Sequence, residues 1–396
     1  MNYDYIVIGG GIIGLATAWT LKHREPDSRI VVVEKEATVG MHQSSHNSGV
    51  IHAGVYYPDG SLKAQFCRRG VDATLSFCRR YDVPARQCGK LIVATEASEL
   101  ARLTRLAEQA RRNGLQVDEY DAAAIHEREP EIAGMAAIFV KETGIADYHG
   151  ICHRLAALLG EEGVQICCSS AVEAIEASES EVIVETAQRT FVGGRLIVCA
   201  GLQADRVARL AGIRHDYVIT PFRGDFYRLP DARRGLVNTL IYPVPDPSLP
   251  FLGVHLTVTT AGDLVLGPTA MLALAREEYR RNGFSPRDVF AMLTHPGPRR
   301  LLSKYPGAGL KELGYSVSRA LYLRTARRYC PGLELSDLGE RFCGIRAQLV
   351  DRRGNLVNDF VFVGGRRMLH VLNAPSPAAT SAFPIAEEIC RRLQQS

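Results

Sequence analysis

The residues best suited to chemistry are a few histidines, arginines and tyrosines in unusual settings. His46 and His52 fall in "HNSGVIHAGVYY" (46–57), a stretch too glycine-rich for a stable helix, so a bent polar loop is expected there. His255 sits in "LGVHLTV", which reads as a strand, and His370 in "MLHVL". Imidazole titrates near neutral pH and serves as a general base. Arg223 in "PFRG" and Arg346 in "GIRAQ" carry planar forks that match a carboxylate bidentately. Tyr57, Tyr242 and Lys63 are further hydrogen-bond donors.

Such side chains need a scaffold, and the first thirty-five residues supply one. "YDYIVIGGGIIGLATAWTLK" reads as a buried strand, a tight turn and a helix opening at Ile12 and Ile13. Gly9, Gly11 and Gly14 form G-x-G-x-x-G. Gly9 permits the turn, Gly11 lets the backbone approach a pyrophosphate, and Gly14 lets the helix pack on the strand. The helix N-terminus then meets the phosphates with its dipole. "RIVVVEKE" (29–36) is a second buried strand ending in Glu34, placed to accept from a ribose, with Lys35 beside it. The competing reading is a plain βαβ unit without a ligand.

Composition narrows the class. A chain of 396 residues suggests two domains or one large α/β enzyme, and 46% hydrophobic with 23% charged residues is globular. A net charge of +4 argues little for nucleic acid. Ten cysteines without a Cys-x-x-Cys pair read as reduced thiols of a cytoplasmic protein, with no metal expected. No run approaches the ~20 apolar residues of a membrane span, and no signal peptide is expected because glycines break the first apolar run.

After the acidic residue the chain does not continue as further β-α units. It enters "ATVGMHQSSHNSGVIHAG" (37–54), which resembles the D-amino-acid oxidase and glycerol-3-phosphate dehydrogenase superfamily of flavoproteins. That resemblance implies FAD, with His42, Ser45, His46, Asn47, Ser48, Gly49 and Val50 beside the flavin. Two later pieces support it. Residues 148–201 give a helix, strands and a final strand ending at Cys199, Ala200 and Gly201, with Val172 implied near the adenine. The stretch from 361 gives a strand pair, then Asn373, Ala374, Pro375, Ser376 and Ala378 before a helix whose positive end is implied to face the flavin. The expected fold is α/β: a discontinuous Rossmann-like FAD-binding domain (1–85, 148–220, 341–396) and a substrate domain (86–147, 221–340) on a mixed, largely antiparallel sheet.

The blocks "HNSGVIHAGVYYPDGSLKAQFCRRG", "TPFRGDFYRL", "PFLGVHLT", "CGIRAQ" and "LHVLNAPSPAATSA" are similar to the L-2-hydroxyglutarate dehydrogenase/oxidase family, along nearly the whole chain. The resemblance implies oxidation of L-2-hydroxyglutarate to 2-oxoglutarate by hydride transfer to flavin N5. Electrons then pass to a quinone, another respiratory acceptor or oxygen. His255 or His52 would be the base, with His370 a weaker candidate and His46 structural. Arg223 and Arg346 would clamp the two carboxylates, helped by Tyr57, Tyr242 and Lys63; Gly344 and Arg346 would also border the cofactor. The chain departs from the family pattern at Val258, Thr259 and Thr269, which bear on the 2-hydroxy acid accepted. The alternatives are an FAD enzyme acting on another 2-hydroxy acid, an amine or amino acid, or glycerol 3-phosphate, and a flavin-binding subunit without turnover.

Residues 295–332 hold eight basic residues and one acidic one, 8 − 1 = +7, against 4 − 7 = −3 for the remainder. Leu310, Leu313, Val317, Leu321 and Leu323 recur at roughly helical spacing there. The pattern predicts a basic amphipathic helix on the inner face of the cell membrane, or a solvated helix packed on the core.

Overall fold

The protein, seen in a computed structural model that describes residues 2–246 and 252–395, is built on two large sheets. The first follows the order Val172–Ala177, Val182–Thr186, Thr190–Val198, Asn2–Ile8, Ile30–Val33, Gln165–Cys167. Met368–Asn373 joins it parallel to Thr190–Val198, with Val361–Gly365 as its hairpin partner. Its central strands are parallel and nearly all apolar, as burial on both faces demands. One face is covered by the helix Ile12–Arg24, which buries Leu15, Ala16, Ala18 and Leu21 and packs against Tyr148–Glu161 and Ala382–Leu393.

The second sheet runs Met271–Leu272, Val218–Arg228, Leu264–Gly267, His255–Val258, Leu240–Pro243, Lys90–Ala94, Ala136–Val140, Val117–Asp121. Its registers pair Leu240 with Lys90 and Ile241 with Leu256. Side chains alternate faces along a strand, so Lys90, Tyr242 and His255 share one face. A three-stranded sheet of Val50–Ile51, Gly144–Ala146 and Ala85–Arg86 anchors the histidine-bearing loop.

Three expectations change. The strand Arg341–Val350 does not join the nucleotide-side sheet; it pairs along its length with Val218–Arg228 in the second one. The basic segment is not one helix but three, Pro296–Lys304, Pro306–Val317 and Arg319–Ala326, because Pro296 and Pro306 start new helices and Ser318 caps the third. The last helix starts at Ala382, since the residues after Asn373 form turns first.

Candidate active site

The glycine turn fits a pyrophosphate on steric grounds. Gly9 has φ +108°, and a Cβ there would lie 2.4 Å from the Cys199 carbonyl oxygen. At Gly14 a Cβ would stand 1.9 Å from the Gly9 carbonyl oxygen. Gly11, the helix N-cap, brings no side-chain oxygen of its own; Ser44 Oγ accepts from the Ile12 N–H at 3.0 Å. Glu34 is buried at the end of its strand, with one oxygen accepting from Gly10 N at 2.6 Å and the other from Glu36 N at 2.9 Å.

A cavity of about 390 Å³ runs from this turn to the second sheet. Gly11, Ile12, Ile13, His46, Asn47, Ser48 and Val50 line it from one side, with Gly201, Gly344 and the segment 373–380. At the far end stand His52, Tyr57, Lys63, Tyr242, His255 and Arg346. His255 is 4% exposed; its ring stacks on Tyr242 at 3.8 Å and 17°. Its Nδ1 lies 2.9 Å from the Gly253 carbonyl oxygen, a geometry in which Nδ1–H donates. Nε2 then keeps its lone pair, and it is buried without a partner among the described residues. Burial first, then the Lys90 and Arg346 cations, lower the His255 pKa to about 3. His52 is likewise held well below its ordinary value by burial and by Lys90. Burial lowers Lys63 to about 8. Arg346 is also desolvated, with Glu312, Tyr242 and Tyr57 acting in the opposite sense. The cavity end therefore presents neutral imidazoles among buried cations, which suits an anionic substrate that must give up a proton.

The FAD-dependent oxidoreductase family model matches residues 4–392. The chain belongs to that family. It is 44% identical over 393 residues to the L-2-hydroxyglutarate dehydrogenase of Escherichia coli K12, covering 99% of this chain and 93% of that one. It is 43% identical over 399 residues to the mitochondrial L-2-hydroxyglutarate dehydrogenase of Caenorhabditis elegans, covering 98% and 92%. The fold matches the L-α-glycerophosphate oxidase of Mycoplasma pneumoniae, solved with FAD bound, with a TM-score of 0.81 at 22% identity over 100% and 95% of the two chains. Glycine oxidase from Geobacillus kaustophilus follows at 0.77 and 17%, over the same shares.

Within this FAD-dependent oxidoreductase, several expected contacts sit elsewhere. Arg223 does not line the cavity: its Nε donates to buried Asp225 at 2.7 Å and its Nη1 to the Arg280 carbonyl at 2.5 Å. The physical reason is strand parity. Arg223 faces the side opposite Gly224, whose neighbour across the sheet is cavity-lining Gly344. Lys35 and His42 are tied to Glu36, and Lys35 also pairs with Glu277 at 3.1 Å, outside the cavity lining. Glu36, His42 and Glu277 are close enough to share a metal ion, but the Lys35 ammonium already stands among them, against Glu36 Oε1, His42 Nε2 and Glu277 Oε2. Ser45 bonds the Gly40 carbonyl and His149. Gly49, Val172 and Ala200 do not line the cavity either, nor do Gly9, Gly14 and Glu34. His46 stacks on Tyr279 at 3.8 Å, an ordering role. His370 is 1% exposed, both its nitrogens lack a partner among the described residues, and it does not line the cavity. Of the departures, Thr269 accepts from Asp225 N at 2.9 Å and Val258 is buried; neither lines the cavity. Pro250 and Phe251 of the "PFLGVHLT" block lie outside the described residues.

Sequence reading missed Ser44, Tyr56, Lys90 and Thr380. Thr380 Oγ1 accepts from His52 N at 3.0 Å and meets the Tyr148 hydroxyl at 3.0 Å, holding the loop against the last segment. Lys90 had a signal: a lysine opening the strand "KLIVA", whose other residues are all apolar.

Proposed function

We propose that this chain oxidises L-2-hydroxyglutarate to 2-oxoglutarate, with His255 as the base. The observation that carries the reading is the bare, buried Nε2 of His255 in one cavity with Arg346 and Lys63. Full-length similarity to enzymes named L-2-hydroxyglutarate dehydrogenase supports the substrate. FAD would supply the hydride acceptor; Gly11, Ile12 and Ile13 at the helix start and the segment 373–380 would hold it, with the Gly9 and Gly14 turn behind them and Glu34 as the ribose acceptor. Arg346 and Tyr57 bind a carboxylate, His255 Nε2 takes the hydroxyl proton, and the burial of His52, His255 and Arg346 keeps bulk water from them. Anaerobic titration with a panel of 2-hydroxy acids tests this. L-2-hydroxyglutarate should bleach the flavin band at the lowest concentration; a flavin left oxidised by it but bleached by an amino acid or glycerol 3-phosphate would overturn the reading.

The electron acceptor belongs to the same proposal. No described helix is long and apolar enough to cross a membrane. Phe290, Leu293, Leu310, Leu313, Val317 and Leu321 are nevertheless exposed on successive short helices, Val317 at 72%, among exposed Arg299, Lys311 and Arg324. Leu323 instead packs in the core. Apolar side chains ringed by cations suit an anionic lipid surface, at about 1 kcal/mol per well-placed cation. This favours a peripheral enzyme on the cytoplasmic face that reduces a membrane quinone. Co-sedimentation with anionic vesicles should occur at low salt and fade as salt rises; none at low salt would leave these helices as solvated surface.

A further inference from the structure

Lys90 is the most buried cation of the substrate sheet that has no countercharge. It is 1% exposed, and among the described residues no carboxylate forms an ion pair with it. By contrast, Asp359 acts on Lys63, and Glu312 on Arg346. The Lys90 ammonium lies 4.3 Å from the Tyr242 ring centroid and 5.0 Å from that of Tyr56. Tyr242 stands on the strand between those of Lys90 and His255. With the imidazole 3.8 Å away against one face of Tyr242, the ammonium takes the other.

Both phenols end in the cavity wall, and both hydroxyls are buried without a hydrogen bond of good geometry among the described residues, although the Thr257 hydroxyl, which also lacks one, is close enough to act on that of Tyr242. Two orphaned O–H donors in one cavity wall are costly unless a ligand answers them, and so is a buried ammonium without a counter-ion. Cation–π contact returns only part of that cost. Burial lowers the Lys90 pKa to about 8, in keeping with an ammonium that lacks a counter-ion. One occupant would satisfy all three groups: a carboxylate accepting from Tyr56 Oη and Tyr242 Oη, with the ammonium behind the two rings.

We propose that Tyr56, Tyr242 and Lys90 form a second anion pocket that receives the distal carboxylate of the substrate and so selects dicarboxylates over monocarboxylates. Tyr56 and Tyr242 touch the carboxylate; Lys90 is a positioning residue that polarises the phenols and adds its field through them. The inference rests on the 2-hydroxy-acid reading above and names what distinguishes a five-carbon dianion from a shorter acid. Arg346 holds the carboxylate beside the reacting carbon, so the two anion sites do different work.

The test uses FAD-loaded enzyme and two inert probes, glutarate and butyrate, whose binding is followed by the shift in the flavin spectrum. Lys90→Met should weaken glutarate roughly 10- to 100-fold, the scale of a cation's field lost from a buried anion several ångströms away, and butyrate less than about threefold. Tyr56→Phe removes one hydroxyl at constant shape and should weaken glutarate roughly 5- to 20-fold, which keeps the proposal testable if Lys90→Met does not fold. In turnover both variants should raise KM with kcat largely kept. Equal weakening of both probes, or of neither, overturns the pocket. A wild-type flavin that L-2-hydroxyglutarate fails to bleach overturns the substrate reading instead, and loss of glutarate discrimination in the variants would still support the anion site.

Discussion

Replacing His255 with Asn tests the proton-accepting role directly. The substitution removes Nε2 and the stack on Tyr242 at 3.8 Å. An aromatic pair is worth about 0.5–1.5 kcal/mol, so a modest drop in unfolding midpoint is expected. The glycine turn lies in the other sheet, so FAD loading should survive. Loss of a positioned base should slow anaerobic flavin reduction roughly 10²–10⁴-fold, or about 2.7–5.4 kcal/mol in the barrier. The pH profile adds a sharper constraint. With burial, Lys90 and Arg346 holding the free-enzyme pKa of His255 near 3, the base is neutral throughout the range from pH 5 to 7. The kcat/KM of the wild type, which reports the free enzyme, should therefore not fall through an ordinary histidine pKa. Rapid-mixing absorbance at the flavin band, from pH 5 to 8 with L-2-hydroxyglutarate, reads both quantities. Wild-type reduction rates in the variant would move the base to His52. A wild-type acid limb near 6.5 that disappears in the variant would refute the electrostatic account of the site.

Other substitutions bear on separate parts of the structure. Gly14→Ala puts a methyl 1.9 Å from the Gly9 carbonyl oxygen, so the helix must leave the strand by over ~1 Å to reach contact distance; purified protein should be largely colourless, and normal FAD content would contradict the packing argument. Arg346→Lys should raise KM, because a point charge replaces a fork, whereas Arg223→Lys should lower the melting temperature by breaking the Asp225 pair and leave substrate binding intact. Affinity lost in Arg223→Lys alone would reverse that assignment. His370 has a pKa lowered by burial to about 4. The native state thus refuses a proton that the unfolded chain accepts below ~6.5, and this group costs stability as pH falls from 6.5 toward 4. Between pH 7 and pH 5 the loss is about 2 kcal/mol, and His370→Leu should remove it from the pH dependence of denaturant unfolding; an unchanged slope would show that the ring is already satisfied.

The nucleotide side of this protein was legible in its sequence because its chemistry is local. Gly9, Gly11, Gly14 and Glu34 lie within twenty-six residues, and a strand, a turn and a helix suffice to place them. The long family blocks carried the cofactor and substrate class for the same reason. The substrate end was not legible in the same way, because it is assembled across strands far apart in the chain. Lys90, Tyr242 and His255 meet only because three strands lie side by side in one sheet at a particular register. Arg223 and Arg346, equally plausible clamps as sequence, are separated by which face of the paired strands each occupies, and one of them met Asp225 instead. The basic segment read as one amphipathic helix because charge and leucine spacing are periodic; its division into three helices, and which leucines face outward, followed from Pro306, Ser318 and packing against the second sheet. Local backbone geometry can be inferred from residue types a few positions apart. Register, strand parity and the partner of a buried charge are properties of the folded sheet, since they are decided when strands as distant in sequence as those of Lys90 and Tyr242, or of Arg223 and Arg346, come to lie side by side.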